Sequence, residues 1–192
     1  QILLEIAQIA ASNGIWLISD EVYEKLIYEG VHYSPAGFDK EIANSTITIG
    51  SCSKTYAMTG WRIRYMTGPK EVMAKVACTQ DTISHPTSFA QKAAIKAFEM
   101  GDSFVNEVLP EYRARRDLMH SLVNQIPGVS APLPQGAFYV MADVSNLLTG
   151  KCSSVEELAE ILLQEAHVAL IPGSVFAAKG FLRLSYATSR EQ

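Results

Sequence analysis

Apolar and polar residues alternate along the chain in blocks that predict helices and short strands in turn. Residues 2–11 predict a helix, and Gly14 follows where many helices end. The apolar run 15–18 predicts a short strand buried on both faces of a parallel sheet. The β-branched run 46–49 predicts a second strand, and residues 61–66 predict a third. Strands separated by helices predict an α/β fold.

The second part of the chain continues with helices and then short strands. Two capping-box patterns predict where helices begin, one at residues 88–91 and one at residues 154–157. The further predicted helices are residues 71–82, 88–100, 104–126 and 154–166, and the further predicted strands are residues 137–144, 168–171 and 181–186. We therefore predict an α/β region at 1–102, a connecting helical segment at 103–127 and a smaller α/β layer at 128–192.

Composition and charge exclude several classes of protein. The 192 residues are 48% hydrophobic, enough for a proper core, and carry a formal net charge of -4, which is not the footprint of a nucleic-acid-binding protein. No apolar run is long enough for a transmembrane helix. The three cysteines and the histidines His85, His120 and His167 lack the spacing of metal ligands or a disulfide framework, so we expect no metal and a reducing cytoplasm.

Polar side chains gather where two of the predicted strands end. Asp20 follows the first strand, and Ser51, Ser53 and Lys54 follow the second. If the strands are parallel, both groups lie at the edge of the sheet where open α/β folds bind ligands. An amine in such a place can form a Schiff base with an aldehyde such as pyridoxal phosphate (PLP).

PLP also needs a carboxylate at its ring nitrogen, a hydrogen-bond donor at its phenolic oxygen, and hydroxyls with an arginine at its phosphate. The sequence offers residues of each kind, namely Asp20, Tyr23, Ser51, Ser53 and Arg62. Each also has an ordinary structural alternative, since Asp20 would cap a helix, Tyr23 would belong to the core and Arg62 would form an ion pair. Lys54 would then be a solvated surface charge.

Two motifs resemble those of the fold-type-I, class I aminotransferases. The stretch SDEVYE at residues 19–24 is similar to that family's S-D-E-x-Y stretch, and SCSKTYAMTGWRI at residues 51–63 is similar to its cofactor-lysine signature. The resemblance implies that Lys54 forms the Schiff base with PLP and shuttles the proton. It also implies that Asp20 contacts the ring nitrogen of PLP and Tyr23 its phenolic oxygen. The phosphate would be held by Ser51 and Arg62, with Ser53 as a further candidate.

The resemblance extends into the second part of the chain and is nearest to the bacterial-type aspartate aminotransferases. It covers PQGAFY at residues 134–139 and two stretches at residues 168–176 and 181–187. It implies that Arg183 holds the substrate α-carboxylate through two parallel hydrogen bonds. On this resemblance the first region is the C-terminal part of the PLP-binding large domain, the last region is the small domain, and the protein is a homodimer.

The chain departs from the family pattern in three ways. It matches about the C-terminal half of the family's usual length and does not begin with Met, so we expect a fragment or a truncated gene product with reduced catalytic power. Arg64 stands where the family has glycine or alanine, and on a strand it points to the same face as Arg62. It would then enter a buried surface, where it pairs with an acid such as Asp20, reaches the phosphate or obstructs the cofactor. Ala177 stands where the branch has glycine.

Three hypotheses of function follow from these observations. The first is an aminotransferase that moves an amino group between an amino acid and a 2-oxo acid, with aspartate and 2-oxoglutarate as the pair that the branch implies. The second is another PLP enzyme such as a β-lyase, because the same anchoring residues serve either reaction. The third is an impaired fragment or a subunit that needs a partner chain, which predicts an exposed apolar face on the first region.

Overall fold

The computed structural model describes residues 1–83, 85–150 and 152–191. The chain forms two compact units, Gln1–Asn106 and Glu107–Gln192, which we call the N-terminal and C-terminal units. The boundary between them falls inside one helix, α6 (Ser103–Val123). The use of residues 103–127 as an interdomain connection stays a prediction.

The N-terminal unit contains a three-stranded sheet and surrounding helices. Its elements in chain order are α1 (Ile2–Ser12), β1 (Leu17–Asp20), a 3-10 helix (Pro35–Gly37), α2 (Lys40–Ala43), β2 (Thr46–Ser51), α3 (Cys52–Thr55), a 3-10 helix (Thr59–Trp61), β3 (Arg64–Thr67), α4 (Lys70–Ile83) and α5 (Ser88–Met100). The strand order is β1-β2-β3, with β1 parallel and β3 antiparallel to β2.

Glycine is required at one position of this sheet. Gly50 on β2 lies directly opposite Tyr65 on β3, and the ring of Tyr65 folds over it. A Cβ atom on Gly50 would lie 2.2 Å from that ring, closer than packed atoms approach. The absence of a side chain at Gly50 therefore lets Tyr65 cross β2, at the point where β2 leads into α3.

The prediction that the first strand is buried on both faces was wrong. The strand begins at Leu17 rather than Ile15, and Ile15 and Ile18 are 56% and 64% exposed. β1 is an edge strand of this sheet, so among the described residues only β2 pairs with it. The apolar run was read correctly as a strand, but its coverage depends on neighbours that the local pattern does not specify.

The C-terminal unit contains a second sheet, which is entirely antiparallel. After α6, its elements are β4 (Tyr139–Asp143), a 3-10 helix (Ser145–Leu147), α7 (Val155–Ala166), β5 (Ile171–Pro172), a 3-10 helix (Gly173–Phe176) and β6 (Phe181–Ser185). The strand order is β4-β6-β5. Val140 and Leu182 are at most 2% exposed and lie in the core of this unit.

One of the two predicted capping boxes begins a helix. Ser154 is the N-cap of α7, and its hydroxyl accepts a hydrogen bond from the backbone N–H of Glu157. The other was wrong, because α5 starts one residue early, with Thr87 as its N-cap and no side-chain cap bond. The side chain of Gln91 donates instead to the carbonyl of Pro86. In the described part of the chain, no helix combines the length and apolar character that crossing a membrane requires.

Candidate active site

Lys54 lies in α3, the short helix that begins where β2 ends. The hydroxyl of Ser51 starts this helix by accepting a hydrogen bond from the backbone N–H of Ser53 at 3.0 Å. The same hydroxyl donates to the carbonyl oxygen of Ile63 at 3.1 Å. Ser53 and Thr55, which flank Lys54, are buried, as is Ser51, so the backbone that carries Lys54 is packed on both sides.

The amine of Lys54 lies near an aromatic ring from the neighbouring strand end. Its Nζ atom is 5.9 Å from the centroid of the Tyr23 ring, within the range of a cation–π contact. Tyr23 belongs to the turn that follows β1, and both side chains are half-buried. The structure thus brings together two of the residues that the sequence places in one site.

Asp20 is the last residue of β1 and shares the same edge of the sheet. It pairs in parallel register with Ile49, two positions before Ser51 on β2. Its exposed carboxylate accepts a hydrogen bond from the backbone N–H of Val22 at 3.3 Å. The parallel arrangement on which the sequence argument depended is present, so Asp20, Tyr23 and Lys54 lie at adjoining carboxyl ends of β1 and β2.

The two arginines after α3 do not share a strand, contrary to the sequence prediction. Arg62 precedes β3 in a left-handed conformation with φ of 56°, and its guanidinium donates to the carbonyl of Thr59 at 2.9 Å. Arg64 is the first residue of β3, lies opposite Ser51 and is exposed, so its expected entry into a buried surface was wrong. The physical reason is the 3-10 turn at Thr59–Trp61, which delays the start of the strand.

Arg62 lines an open cleft in the N-terminal unit. The cleft has a volume of about 520 Å³. Its walls include the ring of Trp61, which packs edge-to-face on Phe89 at a centroid distance of 5.9 Å, and the imidazole of His85. An exposed guanidinium beside such a cleft can bind an anion.

Sequence reasoning missed a buried hydrogen-bond network beside Asp20. Glu21 is buried, with only 6% of the residue exposed. Its carboxylate lies 2.8 Å from His32 Nε2 and accepts a hydrogen bond from the hydroxyl of Ser34 at 2.8 Å. The backbone N–H of Glu21 also donates to Ile49, which extends the β1–β2 pairing by one bond. The polar cluster after β1 signalled a site, but no local pattern pairs Glu21 with the later loop.

A second carboxylate lies close to this network. Glu24 accepts a hydrogen bond from the hydroxyl of Tyr65 at 3.1 Å, and burial together with this carboxylate raises the pKa of Tyr65. The potential ligand atoms of Glu21, Glu24 and His32 lie within 4.8 Å of one another. Since hydrogen bonds already engage these groups, we interpret the cluster as a structural network.

His85 lies beside a carboxylate that the sequence argument did not pair with it. Its Nε2 atom lies 3.1 Å from a carboxylate oxygen of Asp81, one helical turn earlier on α4. Both side chains are exposed. The helical spacing of four residues brings them together, and a pair of this kind is an ordinary surface contact.

Arg183 lies in the C-terminal unit on β6, the central strand of its sheet. The neighbouring strands pair with it through Met141 and Ile171. Its guanidinium carbon lies over two aromatic rings, those of Tyr139 and Phe176, at 4.3 Å from each centroid. Sequence reasoning named Arg183 but not these two aromatic residues, although both lie in the stretches that carry the family resemblance.

The chain is similar over its whole length to a known protein family and to several of that family's proteins. All of it, residues 1–192, matches the family model described as aminotransferase class I and II. A probable aspartate/prephenate aminotransferase of Aquifex aeolicus is 42% identical over 194 residues, covering 99% of this chain and 49% of its own length. The aspartate/prephenate aminotransferase of Thermus thermophilus is 40% identical over 195 residues, covering 100% of this chain and 48% of its own length.

Solved structures show the same relation. The aspartate aminotransferase from Rhizobium meliloti superposes with a TM-score of 0.88 at 34% identity, over 96% of this chain and 48% of that one. The aspartate aminotransferase from Thermus thermophilus with maleate gives a TM-score of 0.87 at 40% identity, over 99% of this chain and 48% of that one. The predicted α/β fold and the family resemblance are confirmed, and the chain spans about half the length of these relatives.

Proposed function

The chain belongs to the class I and II aminotransferases, and from this premise we propose that it carries the cofactor lysine of a PLP-dependent amino-group transfer. The observation that carries the proposal is the contact of the Lys54 amine with Tyr23 at the edge of the sheet where β1 and β2 end. Asp20 lies at the same edge. An amine, a phenol and a carboxylate at one strand edge are the groups that PLP requires.

The residues present offer a side chain for each group of the cofactor. Lys54 would bind the aldehyde, Asp20 the ring nitrogen and Tyr23 the phenolic oxygen. Arg62, with an exposed guanidinium, suits the phosphate. Ser51 and Ser53 are buried, and the hydroxyl of Ser51 donates a hydrogen bond to the carbonyl oxygen of Ile63, so their first role here is to hold α3. We also propose Ser51 and Ser53 as phosphate contacts. For Ser51 this contact would require its hydroxyl to rotate from Ile63 toward the phosphate.

When bound, PLP supplies an electron sink that stabilises negative charge at the substrate Cα atom. The amine of Lys54 would take the proton from that atom, acting as general base. The carboxylate of Asp20 would keep the ring nitrogen protonated, and the phenol of Tyr23 would donate a hydrogen bond to the phenolic oxygen. Arg183 would hold the substrate α-carboxylate through its paired N–H groups.

We propose an amino acid and a 2-oxo acid as substrates, with aspartate the best match because aspartate aminotransferases are among the similar proteins. A homodimer in a reducing cytoplasm also remains our proposal. The homodimer rests on the family resemblance alone. The three cysteines, Cys52, Cys78 and Cys152, are free, which supports the reducing compartment.

A second candidate function is a subunit that works only with another polypeptide. The N-terminal unit exposes large apolar side chains at the start of β1, where Trp16, just before the strand, is 51% exposed and Ile18 is 64% exposed. The outer side of α1 adds Ile2, Ile6 and Ile9, which are 49% to 73% exposed. Several large exposed apolar side chains grouped on one strand and one helix are typical of an interface. This candidate keeps the cofactor role of Lys54 and assigns the remainder of the site to the other chain.

The test uses the purified chain incubated with PLP. The visible absorbance is recorded, the sample is reduced with borohydride, and the modified peptide is located by mass spectrometry. We expect modification at Lys54, its loss in Lys54→Ala and its persistence in Lys92→Ala, a matched control at an exposed lysine of the same unit. Amino transfer from aspartate to 2-oxoglutarate is then assayed on the same samples.

The outcomes separate the candidates. Trapping at Lys54 with amino transfer that depends on the 2-oxo acid supports the aminotransferase. Trapping without amino transfer supports the subunit that needs another chain. Repeated turnover that releases ammonia without any 2-oxo acid would indicate a β-lyase, because an aminotransferase without an acceptor stops after one turnover. A folded chain that shows no modification at Lys54 overturns the proposed role of this residue.

A further inference from the structure

The guanidinium group of Arg183 is flanked by aromatic rings from two separate segments. Tyr139 comes from β4 and Phe176 from the end of the 3-10 helix Gly173–Phe176, and each ring centroid lies 4.3 Å from the guanidinium carbon. An aromatic face attracts a cation at this distance. Because neither ring neutralises the cation, Arg183 keeps its full charge for an anionic ligand.

The backbone segments that carry the two rings are held by hydrogen bonds and close packing. Tyr139 is held in the ladder between β4 and β6, opposite Ser185. The segment that carries Phe176 is packed closely at Gly173, where a Cβ atom would lie 2.3 Å from the carbonyl oxygen of Ala178. The hydroxyl of Ser174 is hydrogen-bonded to Glu156 on α7. The rings therefore restrict the positions that the long Arg183 side chain can adopt.

We propose that Tyr139 and Phe176 are positioning residues that hold Arg183 ready for the carboxylate of an amino-acid or 2-oxo-acid substrate. This inference rests on the proposed function, which gives Arg183 its ligand. The physical advantage is that an arginine side chain loses much rotational freedom when it binds a carboxylate. Two rings that already order the side chain reduce that loss, so the carboxylate binds more tightly.

A group of packed aromatic residues continues from Tyr139 and includes a matched control, Tyr112. Tyr139 packs on Phe138 at a centroid distance of 4.8 Å, and Phe138 stacks on Tyr112 of α6 at 5.8 Å. Tyr112 therefore belongs to the same aromatic group, one layer removed from Tyr139. Its replacement tests for a general effect of packing.

The experiment measures binding of 2-oxoglutarate to the whole chain by NMR. The Nε–Hε signal of Arg183, assigned by its absence in Arg183→Lys, reports both the dissociation constant and the mobility of the side chain. We expect Phe176→Leu and Tyr139→Leu each to weaken binding about two- to fivefold and to increase Arg183 mobility. Phe176→Tyr and Tyr139→Phe should keep the wild-type values, and Tyr112→Leu should leave the dissociation constant unchanged.

Several results would overturn the inference. Phe176 is 46% exposed, so we expect the Phe176→Leu variant to fold. Unchanged affinity for 2-oxoglutarate in this variant would show that the rings do not position Arg183. An equal loss in Tyr112→Leu shows a packing effect instead. If 2-oxoglutarate does not shift the Arg183 signal although Lys54 is trapped by borohydride, this inference fails together with the proposed substrate role of Arg183, and the cofactor role of Lys54 stands. A shifted Arg183 signal that weakens in Phe176→Leu, without trapping at Lys54, would instead support this inference and overturn the cofactor role of Lys54.

Discussion

The sheets of the two units differ in which residues they bury. In the C-terminal unit, Val140 and Leu182 are at most 2% exposed, so large apolar side chains form the core. In the N-terminal unit, the most buried sheet position described is Thr46, at 0%, whereas Trp16 and Ile18 are at least half exposed. One sheet is therefore closed around an apolar core, and the other is open on an apolar face.

This difference shows that a unit can be well ordered without covering its apolar strand residues. In the N-terminal unit, buried polar contacts supply part of the order. The hydroxyl of Thr46 donates to Ile42 at 2.7 Å, and Glu21 is held by His32 and Ser34. Hydrogen bonds of buried groups fix geometry strongly because leaving such groups unpaired is costly. The candidate cofactor residues Lys54, Asp20 and Tyr23 belong to this open unit.

The largest expected effect separates the two sheets directly. Leu182→Ala should lower the free energy of unfolding of the C-terminal unit by about 2–5 kcal/mol, because it leaves a cavity in the core. Ile18→Ala should change that of the N-terminal unit by less than about 0.5 kcal/mol, because the side chain already contacts water. Amide hydrogen exchange in β6 measures the free energy of unfolding in Leu182→Ala. The fluorescence of Trp16 and Trp61 in urea, both in the N-terminal unit, measures that in Ile18→Ala. Equal losses would contradict the comparison.

The next effect tests the polar order of the open unit. Glu21→Ala should lower the free energy of unfolding of the N-terminal unit by about 1.5–3 kcal/mol, because it leaves His32 and Ser34 without their buried partner. Glu21→Gln keeps the shape and much of the hydrogen bonding, so it should cost less. Tryptophan fluorescence in urea measures both variants. Wild-type stability in Glu21→Ala would show that the network adds nothing to the fold.

A smaller effect concerns a backbone position of the closed unit. Ala177 adopts a left-handed conformation with φ of 58°, which glycine tolerates better, and this gives a physical reason for the glycine of the related branch. Ala177→Gly should therefore stabilise the C-terminal unit by about 1 kcal/mol. Ala169→Gly, at a position without positive φ, should not stabilise it. Thermal unfolding followed by circular dichroism measures both, and the same sign in the two variants would refute the explanation.

The smallest effect is a dependence on pH in the closed unit. Hydrogen bonds from Arg190 and Arg115 lower the pKa of Glu111 from 4.5 to about 2. A carboxylate with a lowered pKa stabilises the folded state above pH 4.5, and this contribution is lost as the pH falls toward 2. The stability difference between wild type and Glu111→Gln should therefore shrink over that interval. It should be small and decrease in high salt, since these side chains are exposed. A difference that persists at pH 2 would contradict the ion-pair origin.

The sequence by itself determined the order of the long helices and main strands, the α/β class and the position of Lys54 directly after a strand. These features depend on local patterns: apolar runs predict strands, and polar clusters at residues 19–24 and 51–63 mark the strand ends. The motifs placed Lys54, Asp20 and Tyr23 together, and β1 and β2 are indeed parallel. Such features survive because their causes lie within a few neighbouring residues.

Only the tertiary structure decided how exposed the strands are and which distant side chains meet. The 3-10 turn at Thr59–Trp61 removed Arg62 from the strand that begins at Arg64. Glu21 meets a histidine from a later loop, and Arg183 meets two rings from other segments. These contacts join residues far apart in the chain, and their distances follow from the packing of whole elements. A local pattern of apolar and polar residues carries no information about that packing.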